Sequence, residues 1–295
     1  MKLITFEYEG KEDIGVIGTS NNLITPIGSY LTKITNEKQS DMLTLIRNYQ
    51  QFIEKIPKFE SLDLQSVILK APIPAPPKNI FCVGKNYFEH AQEFTKSGFD
   101  ATSKRGDNVP DYPIIFTKPQ TAIVGTKSSI MNHQSITKQL DYEAELGVVI
   151  GVEGTRISRD NAYRHIFGYT IINDITARDL QLKHRQWFIG KSLDTSCPMG
   201  PWITTADEVD PENLSIKCWV NNELRQNANT SDLIFNIPTL IETISAGVTL
   251  QPGDIISTGT PAGVGIGFKP PKFLIPGDEI KIEIQGLGTL ENHVE

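Results

Sequence analysis

Three carboxylates stand out as groups that could work together: Glu143 and Glu145 in Asp141-Tyr-Glu-Ala-Glu-Leu-Gly-Val-Val-Ile-Gly151, and Asp174 in Gly168-Tyr-Thr-Ile-Ile-Asn-Asp-Ile-Thr-Ala-Arg-Asp-Leu-Gln181. The first run has strand character, so residues two apart point the same way and both glutamates share a face. The apolar stretch from Leu146 to Ile150 then carries that strand into a core. Carboxylates aimed together at a poorly solvated place must be neutralised or paired, because desolvating them is costly. A hard divalent cation does this, and all-oxygen ligation suits Mg²⁺ or Mn²⁺ better than Zn²⁺. On pattern alone the alternative is a strand whose Asp141, Glu143 and Glu145 face water.

Other residues invite similar weighing. His90 and Glu93 are three apart in Asn86-Tyr-Phe-Glu-His-Ala-Gln-Glu-Phe94, hence neighbours on a helix. A carboxylate beside a histidine makes a general base near neutral pH, whereas an incidental surface contact is the plainer reading. Arg178 and Gln181 share a face with Asp174 if a helix begins near Asp174; Arg178 would then orient a ligand carboxylate. Lys191, in Phe188-Ile-Gly-Lys-Ser-Leu, has apolar neighbours, and Gly190 permits close approach. In Thr258-Gly-Thr-Pro-Ala-Gly-Val-Gly265 the Gly259 backbone and the Thr260 hydroxyl could hold a carboxylate, although glycine-rich turns are mostly backbone geometry. Lys85 is a further candidate for attracting an anion. No Gly-x-Ser-x-Gly elbow and no i,i+4 histidine pair occurs, which leaves serine hydrolases and zincins unsupported; His133 and His165 read as structural.

The elements that must position these groups follow from periodicity. Residues 1 to about 30 alternate polar and apolar around Gly10 and Gly15, predicting short antiparallel strands. Met42, Leu45, Ile46, Tyr49, Ile53 and Ile56 recur at helical spacing, opened by Ser40-Asp41 and closed by Pro57. Val67-Ile68-Leu69 reads as a strand. Pro72-Ile-Pro-Ala-Pro-Pro77 is the clearest boundary, dividing a small N-terminal α+β domain (1–75) from a main domain (76–295). In the latter, Ile/Val-rich strands alternate with Gly/Pro turns and brief helical patches, so the fold class is α+β and β-dominated. The polar stretch Thr95–Asp111, with Gly98 and Gly106 as hinges, reads as a lid that brings His90 and Glu93 to the site on closing.

Composition narrows the class. With 295 residues, 39% hydrophobic and 21% charged, the chain is an ordinary globular protein. Its net charge of −7 gives no basic footprint for nucleic acid. Cys82, Cys197 and Cys218 show no paired spacing, so neither a disulfide framework nor a thiolate zinc site is indicated. The N-terminus lacks a signal-peptide stretch and no run approaches a membrane span, so the expectation is a cytoplasmic protein with no membrane partner.

Taken together, Asn79-Ile-Phe-Cys-Val-Gly-Lys-Asn-Tyr-Phe-Glu-His90, Asp141-Tyr-Glu-Ala-Glu-Leu146, Asn173-Asp-Ile-Thr-Ala-Arg-Asp-Leu-Gln181, Gly190-Lys-Ser-Leu-Asp194, Cys197-Pro-Met-Gly-Pro201 and Thr258–Gly265 resemble the fumarylacetoacetate hydrolase family across residues 76–295. The resemblance is greatest to its branch of oxaloacetate decarboxylases and tautomerases, acylpyruvate hydrolases and 2-hydroxyhepta-2,4-diene-1,7-dioate isomerases. It implies a mixed β-roll core, a homodimer, and Mg²⁺ or Mn²⁺ on Glu143, Glu145 and Asp174. It also implies a His90–Glu93 acid–base dyad, Gln181 against substrate oxygens, and Lys191 sharing enolate charge. The expected activity is decarboxylation or keto–enol tautomerisation of oxaloacetate, a small 2-oxo dicarboxylic acid. Acylpyruvate carbon–carbon hydrolysis and diene-dioate isomerisation follow, and a non-catalytic binding or scaffold protein is the reading from another class.

Overall fold

The computed structural model describes residues 1–18, 22–36, 40–53, 62–98 and 109–295. Strands β1 (Lys2–Tyr8), β2 (Lys11–Ile17) and β3 (Leu23–Pro26) form the expected antiparallel meander. The first turn places Glu9 and Gly10 at positive φ (48° and 74°), the hairpin geometry that matches strand twist. Helices α1 (Gly28–Thr35), α2 (Met42–Arg47) and α3 (Tyr49–Ile53) follow. The helix expected from Met42 onward starts as foreseen, with Asp41 accepting from the Thr44 amide at 2.8 Å, but it breaks at Asn48. Asn48 turns its own side-chain amide back onto the Thr44 carbonyl (2.9 Å), competing with the helical ladder. The expected end near Ile56 and Pro57 lies outside the described residues.

Short strands β4 (Leu62–Asp63) and β5 (Ile68–Leu69) lead to the proline segment. Beyond it come β6 (Ile80–Gly84), α4 (Phe88–Ser97), β7 (Ile114–Lys118), β8 (Ile123–Val124), β9 (Ser129–Ile130), β10 (Leu140–Asp141), β11 (Ala144–Ile150) and β12 (Ile166–Asn173). Next are β13 (Thr176–Ala177), α5 (Arg178–Lys183), α6 (Phe188–Lys191) and β14 (Cys197–Thr205). The chain finishes with β15 (Ser215–Val220), β16 (Glu223–Asn229), α7 (Ile237–Ser245), β17 (Ile255–Ser257), β18 (Glu279–Ile284) and β19 (Gly288–Val294).

Among the described residues these make a large sheet in the order β4-β3-β2-β1-β14-β12-β11-β17-β6-β7, a second sheet β16-β15-β18-β19-β9, and the small pair β10-β13. Pairing is mixed: β17–β6, β14–β8 and β19–β9 run parallel and the rest antiparallel, an α+β arrangement rich in sheet. Every residue of β11 and β12 is buried, so the centre of the large sheet is covered on both faces and reads as apolar runs. By contrast β18 alternates exposed and buried, the mark of a sheet with one wet face. β1 pairs with β14 (Leu3 opposite Ile203), so the sheet continues across the proline segment that separates residues 1–75 from 76–295. No helix among the described residues is long and apolar enough to cross a membrane.

Candidate metal centre and active site

Strand register brings the carboxylates together. β11 and β12 pair antiparallel with Ala144 opposite Asn173, so Glu143 and Asp174 meet where the two strands end. The Asp174 amide donates to the Glu143 carbonyl (2.9 Å), and the Glu143 amide donates to Asn173 Oδ1 (3.0 Å). Glu145 follows within β11, and one carboxylate oxygen from each of Glu143, Glu145 and Asp174 lies within 4.8 Å of the others. The strand expected to run from Asp141 is interrupted at Tyr142 and Glu143. The cause is Asp141, which is completely buried. Its carboxylate accepts from the amides of Tyr142 (2.9 Å), Gly265 (2.6 Å) and Ile266 (3.1 Å) and from Arg178 Nε (2.9 Å).

Buried cations surround the trio. Lys191 Nζ lies 2.8 Å from Glu143 Oε2 and 2.7 Å from Asp174 Oδ2. Arg178 Nη2 is 2.7 Å from Glu143 Oε1, and Lys118 Nζ is 2.8 Å from Asp174 Oδ1. Four buried acids (Asp141, Glu143, Glu145, Asp174) thus face three buried bases (Lys118, Arg178, Lys191). Burial opposes the charged form of Glu143, but Lys191 and Arg178 outweigh it and hold its carboxyl down at about 2. Glu145 is different. Dipoles hold it, Ser257 Oγ at 2.5 Å and the Gly259 amide at 3.0 Å, and among the described residues it has no ion pair. Burial, then Asp174 and Glu143, push its carboxyl well above the ordinary range. A site with three convergent buried carboxylates and one acid in excess fits a small hard dication, and its all-oxygen donors fit Mg²⁺ or Mn²⁺.

The dyad residues lie on α4. His90 is buried with Nδ1 3.4 Å from Glu93 Oε2, and Glu93 also accepts from the Gly263 amide at 3.1 Å. Gly98 ends α4 in the left-handed region (φ 84°), the usual glycine stop. Residues 99–108, the middle of the expected lid with Gly106, lie outside the described residues.

Two local expectations are corrected. The helix opens at Arg178, not near Asp174, because β13 intervenes and pairs with β10 (Asp141 opposite Thr176). Arg178 and Gln181 still adjoin, with Nη1 3.2 Å from Gln181 Oε1. The glycine-rich loop does hold carboxylates, but they are the protein's own: Gly259 serves Glu145, Gly263 serves Glu93, and Gly265 and Ile266 serve Asp141. Thr260 accepts from Gln226 Nε2 (2.8 Å) and faces the cleft.

The cleft is narrow, with a free volume of about 20 Å³. His90, Glu143, Glu145, Arg178, Gln181, Lys191, Lys85 and Thr260 line it, eight of the eleven site residues singled out from the sequence, and Glu93 stands behind His90. Lys85 is buried, with φ 55° and Nζ 5.5 Å from the Phe94 ring centre. Asp174 lies beneath, and Gly259 reaches the site through Glu145. Sequence reasoning missed Lys118, whose Nζ also donates to the carbonyls of Ile175 (3.0 Å) and Lys191. Its signal was a lysine ending the apolar run Ile114-Ile-Phe-Thr, the same anomaly that marked Lys191. The aromatic wall of Phe94, Phe116 and Trp187 was missed too, since each reads as ordinary core.

Comparison with known proteins places this geometry among relatives. Residues 79–295 match the model of the fumarylacetoacetate (FAA) hydrolase C-terminal domain. The chain is 55% identical over 232 residues to the oxaloacetate tautomerase YisK of Bacillus subtilis, covering 78% of this chain and 74% of that protein. A fumarylacetoacetate hydrolase structure from Exiguobacterium antarcticum shares 40% identity with a TM-score of 0.84, covering 100% of this chain and 99% of that one. A maleylpyruvate hydrolase from Sphingobium sp. SYK-6, solved with manganese(II) and pyruvate, shares 32% identity with a TM-score of 0.78, covering 100% and 98%.

Proposed function

Because the chain belongs to the fumarylacetoacetate hydrolase family, we propose that it is a Mg²⁺- or Mn²⁺-dependent enzyme of small 2-oxo dicarboxylic acids, foremost an oxaloacetate keto–enol tautomerase with decarboxylase capacity. The observation that carries this reading is the convergence of Glu143, Glu145 and the underlying Asp174 beside a cleft that also presents Lys191 and His90. The tautomerase relative supports the choice of substrate. When held by the three carboxylates, the dication supplies Lewis acidity toward substrate oxygens.

The protein's own groups account for the rest. Lys191 has three N–H donors; two point at Glu143 and Asp174, leaving one for an oxygen on which negative charge develops. His90 takes a proton from C3 of oxaloacetate, the C–H electron pair becomes the C2–C3 double bond, the C2=O π pair moves onto oxygen, and the His90 imidazolium returns its proton to that oxygen to give the enol. Glu93 steadies the imidazolium formed in that step. Decarboxylation breaks the C3–C4 bond instead, CO₂ leaves, and C3 later takes a proton. Lys85, Arg178 and Gln181 supply the polar contacts suited to carboxylate and keto oxygens.

The His90–Glu93 pair favours a second reading, acylpyruvate carbon–carbon hydrolysis, in which the pair activates a water. One assay separates these readings. Oxaloacetate, its enol, acetylpyruvate, fumarylpyruvate and a diene-dioate are each followed with Mn²⁺ or Mg²⁺, after chelation, and in Glu143→Ala. Metal-dependent turnover of oxaloacetate above the others is expected. Equal rates in all three conditions would leave only the binding or scaffold reading.

A further inference from the structure

The cleft has two unlike sides. Its floor carries the charged groups described above, and its far wall is aromatic. Trp187 is the centre of that wall, meeting Phe94 edge to face at 5.9 Å and Phe116 at 5.3 Å. The back of its indole leans on Gly84, where a Cβ would come within 2.2 Å of Cζ3, so the ring cannot retreat in that direction. Only 7% of Trp187 is exposed, and it packs in a small cluster with Phe94, Val264 and Ile266 that is separate from the main core.

Trp187 is also indexed to the reacting cation. It caps α6, and the Lys191 amide donates to its carbonyl at 3.1 Å, so one helical turn presents both the indole and the ammonium. Lys191 Nζ stands 5.0 Å from the Phe116 ring, at the seam between the polar floor and the aromatic wall. A substrate whose head is held beside Lys191 therefore extends its tail toward a rigid surface one turn away. The free space between floor and wall is only about 20 Å³, far below the usual ligand-pocket range of about 300–1,000 Å³, so the wall stands close against whatever the floor holds and must shift to admit added length.

From this geometry we infer that Trp187 is a specificity-determining residue that measures chain length and favours compact 2-oxo acids over those with long tails. The inference rests on the 2-oxo acid reading above and deepens it, since it ranks oxaloacetate over acylpyruvates with longer tails. An apolar wall discriminates sterically: each methylene accommodated or refused changes selectivity by roughly tenfold to a few hundredfold.

The test uses Mn²⁺-loaded protein and two unreactive probes with the same head, oxamate and N-hexyl oxamate, measured by calorimetry in wild type, Trp187→Phe and Trp187→Leu. Mn²⁺ affinity is measured in parallel. In wild type, oxamate is expected to bind at least about tenfold more tightly than the hexyl probe. That ratio should shrink in Trp187→Phe and invert in Trp187→Leu, with Mn²⁺ affinity held. A ratio unchanged in both variants overturns the inference, as does a parallel loss of both probes, which marks Trp187 as structural only. If Trp187→Leu does not fold, the shift in Trp187→Phe decides alone. Wild type that binds Mn²⁺ but neither probe overturns the 2-oxo acid reading itself.

Discussion

The ammonium of Lys118 lies 2.8 Å from Oδ1 of Asp174, and both side chains are sealed from solvent. The opposite oxygen of the same carboxylate is held by Lys191 at 2.7 Å. Asp174 is thus fixed at both oxygens before any ligand arrives. Removing one partner of a buried ion pair strands the other, at a cost of about 3–5 kcal/mol. Lys118→Met is therefore expected to lower unfolding free energy by about that much in urea titration, because it also orphans the carbonyls of Ile175 and Lys191. A loss below about 1 kcal/mol would show that the pair contributes little.

Glu145 should behave in the opposite way. It is the buried acid whose partners are a hydroxyl and an amide, and glutamine keeps an acceptor for both. Glu145→Gln is expected to melt no lower than wild type without metal. Wild type should gain about 2.7 kcal/mol at a metal concentration of 100 Kd, and the variant should gain none. Thermal scans with and without Mn²⁺ read both effects, and a metal-induced shift that survives in the variant removes Glu145 from the ligand set.

His90→Asn tests the proton shuttle. General acid–base groups contribute about 10²–10⁴-fold, so tautomerase kcat should fall by that factor while Mn²⁺ affinity by calorimetry stays within about twofold. Unchanged turnover would exclude His90 from proton transfer. If decarboxylation alone persists, the metal and Lys191 suffice for that branch.

Gly190 lets α6 approach α5. A Cβ there would lie 2.6 Å from the Gln181 amide nitrogen and 2.8 Å from the Ala177 carbonyl oxygen, backbone atoms that cannot swing aside. Gly190→Ala should cost about 1–3 kcal/mol and lower kcat by displacing Lys191 next to it. Chemical denaturation together with steady-state kinetics checks both; a variant of native stability and rate would show that the helices can separate freely.

The three thiols should be inert in the native protein. Cys82, Cys197 and Cys218 are all buried. Burial raises each, Cys82 well above its ordinary value and Cys197 to about 12, so thiolate is scarce near pH 8. A disulfide reagent should titrate essentially no thiol in buffer and all three in urea; rapid native labelling of any one would contradict the sealed interior.

Much of the site was legible because its chemistry is written in local types and spacing. Glu143 and Glu145 flank a single alanine, Asp174 follows an apolar strand, and His90 and Glu93 are one helical turn apart. What escaped depends on distant partners. The strand breaks at Tyr142 because Asp141 is tied to amides 124 and 125 residues further on. The glycine-rich loop looked like a cradle for a substrate anion, yet its amides serve Glu93, Asp141 and Glu145, none of which adjoins it in sequence. Lys118 ends an edge strand of apolar pattern, and only its meeting with a carboxylate 56 positions later explains it. In the first 75 residues the alternating strands were readable, whereas their junction to β14 is a register relation that local periodicity does not encode.

The stretch Gly263 to Ile266 holds Glu93 at one end and Asp141 at the other, so one short piece of backbone fixes the helix that carries His90 against the strand ends that carry the three convergent carboxylates. On the proposed function, a change in this stretch is expected to disturb proton transfer and metal affinity in concert.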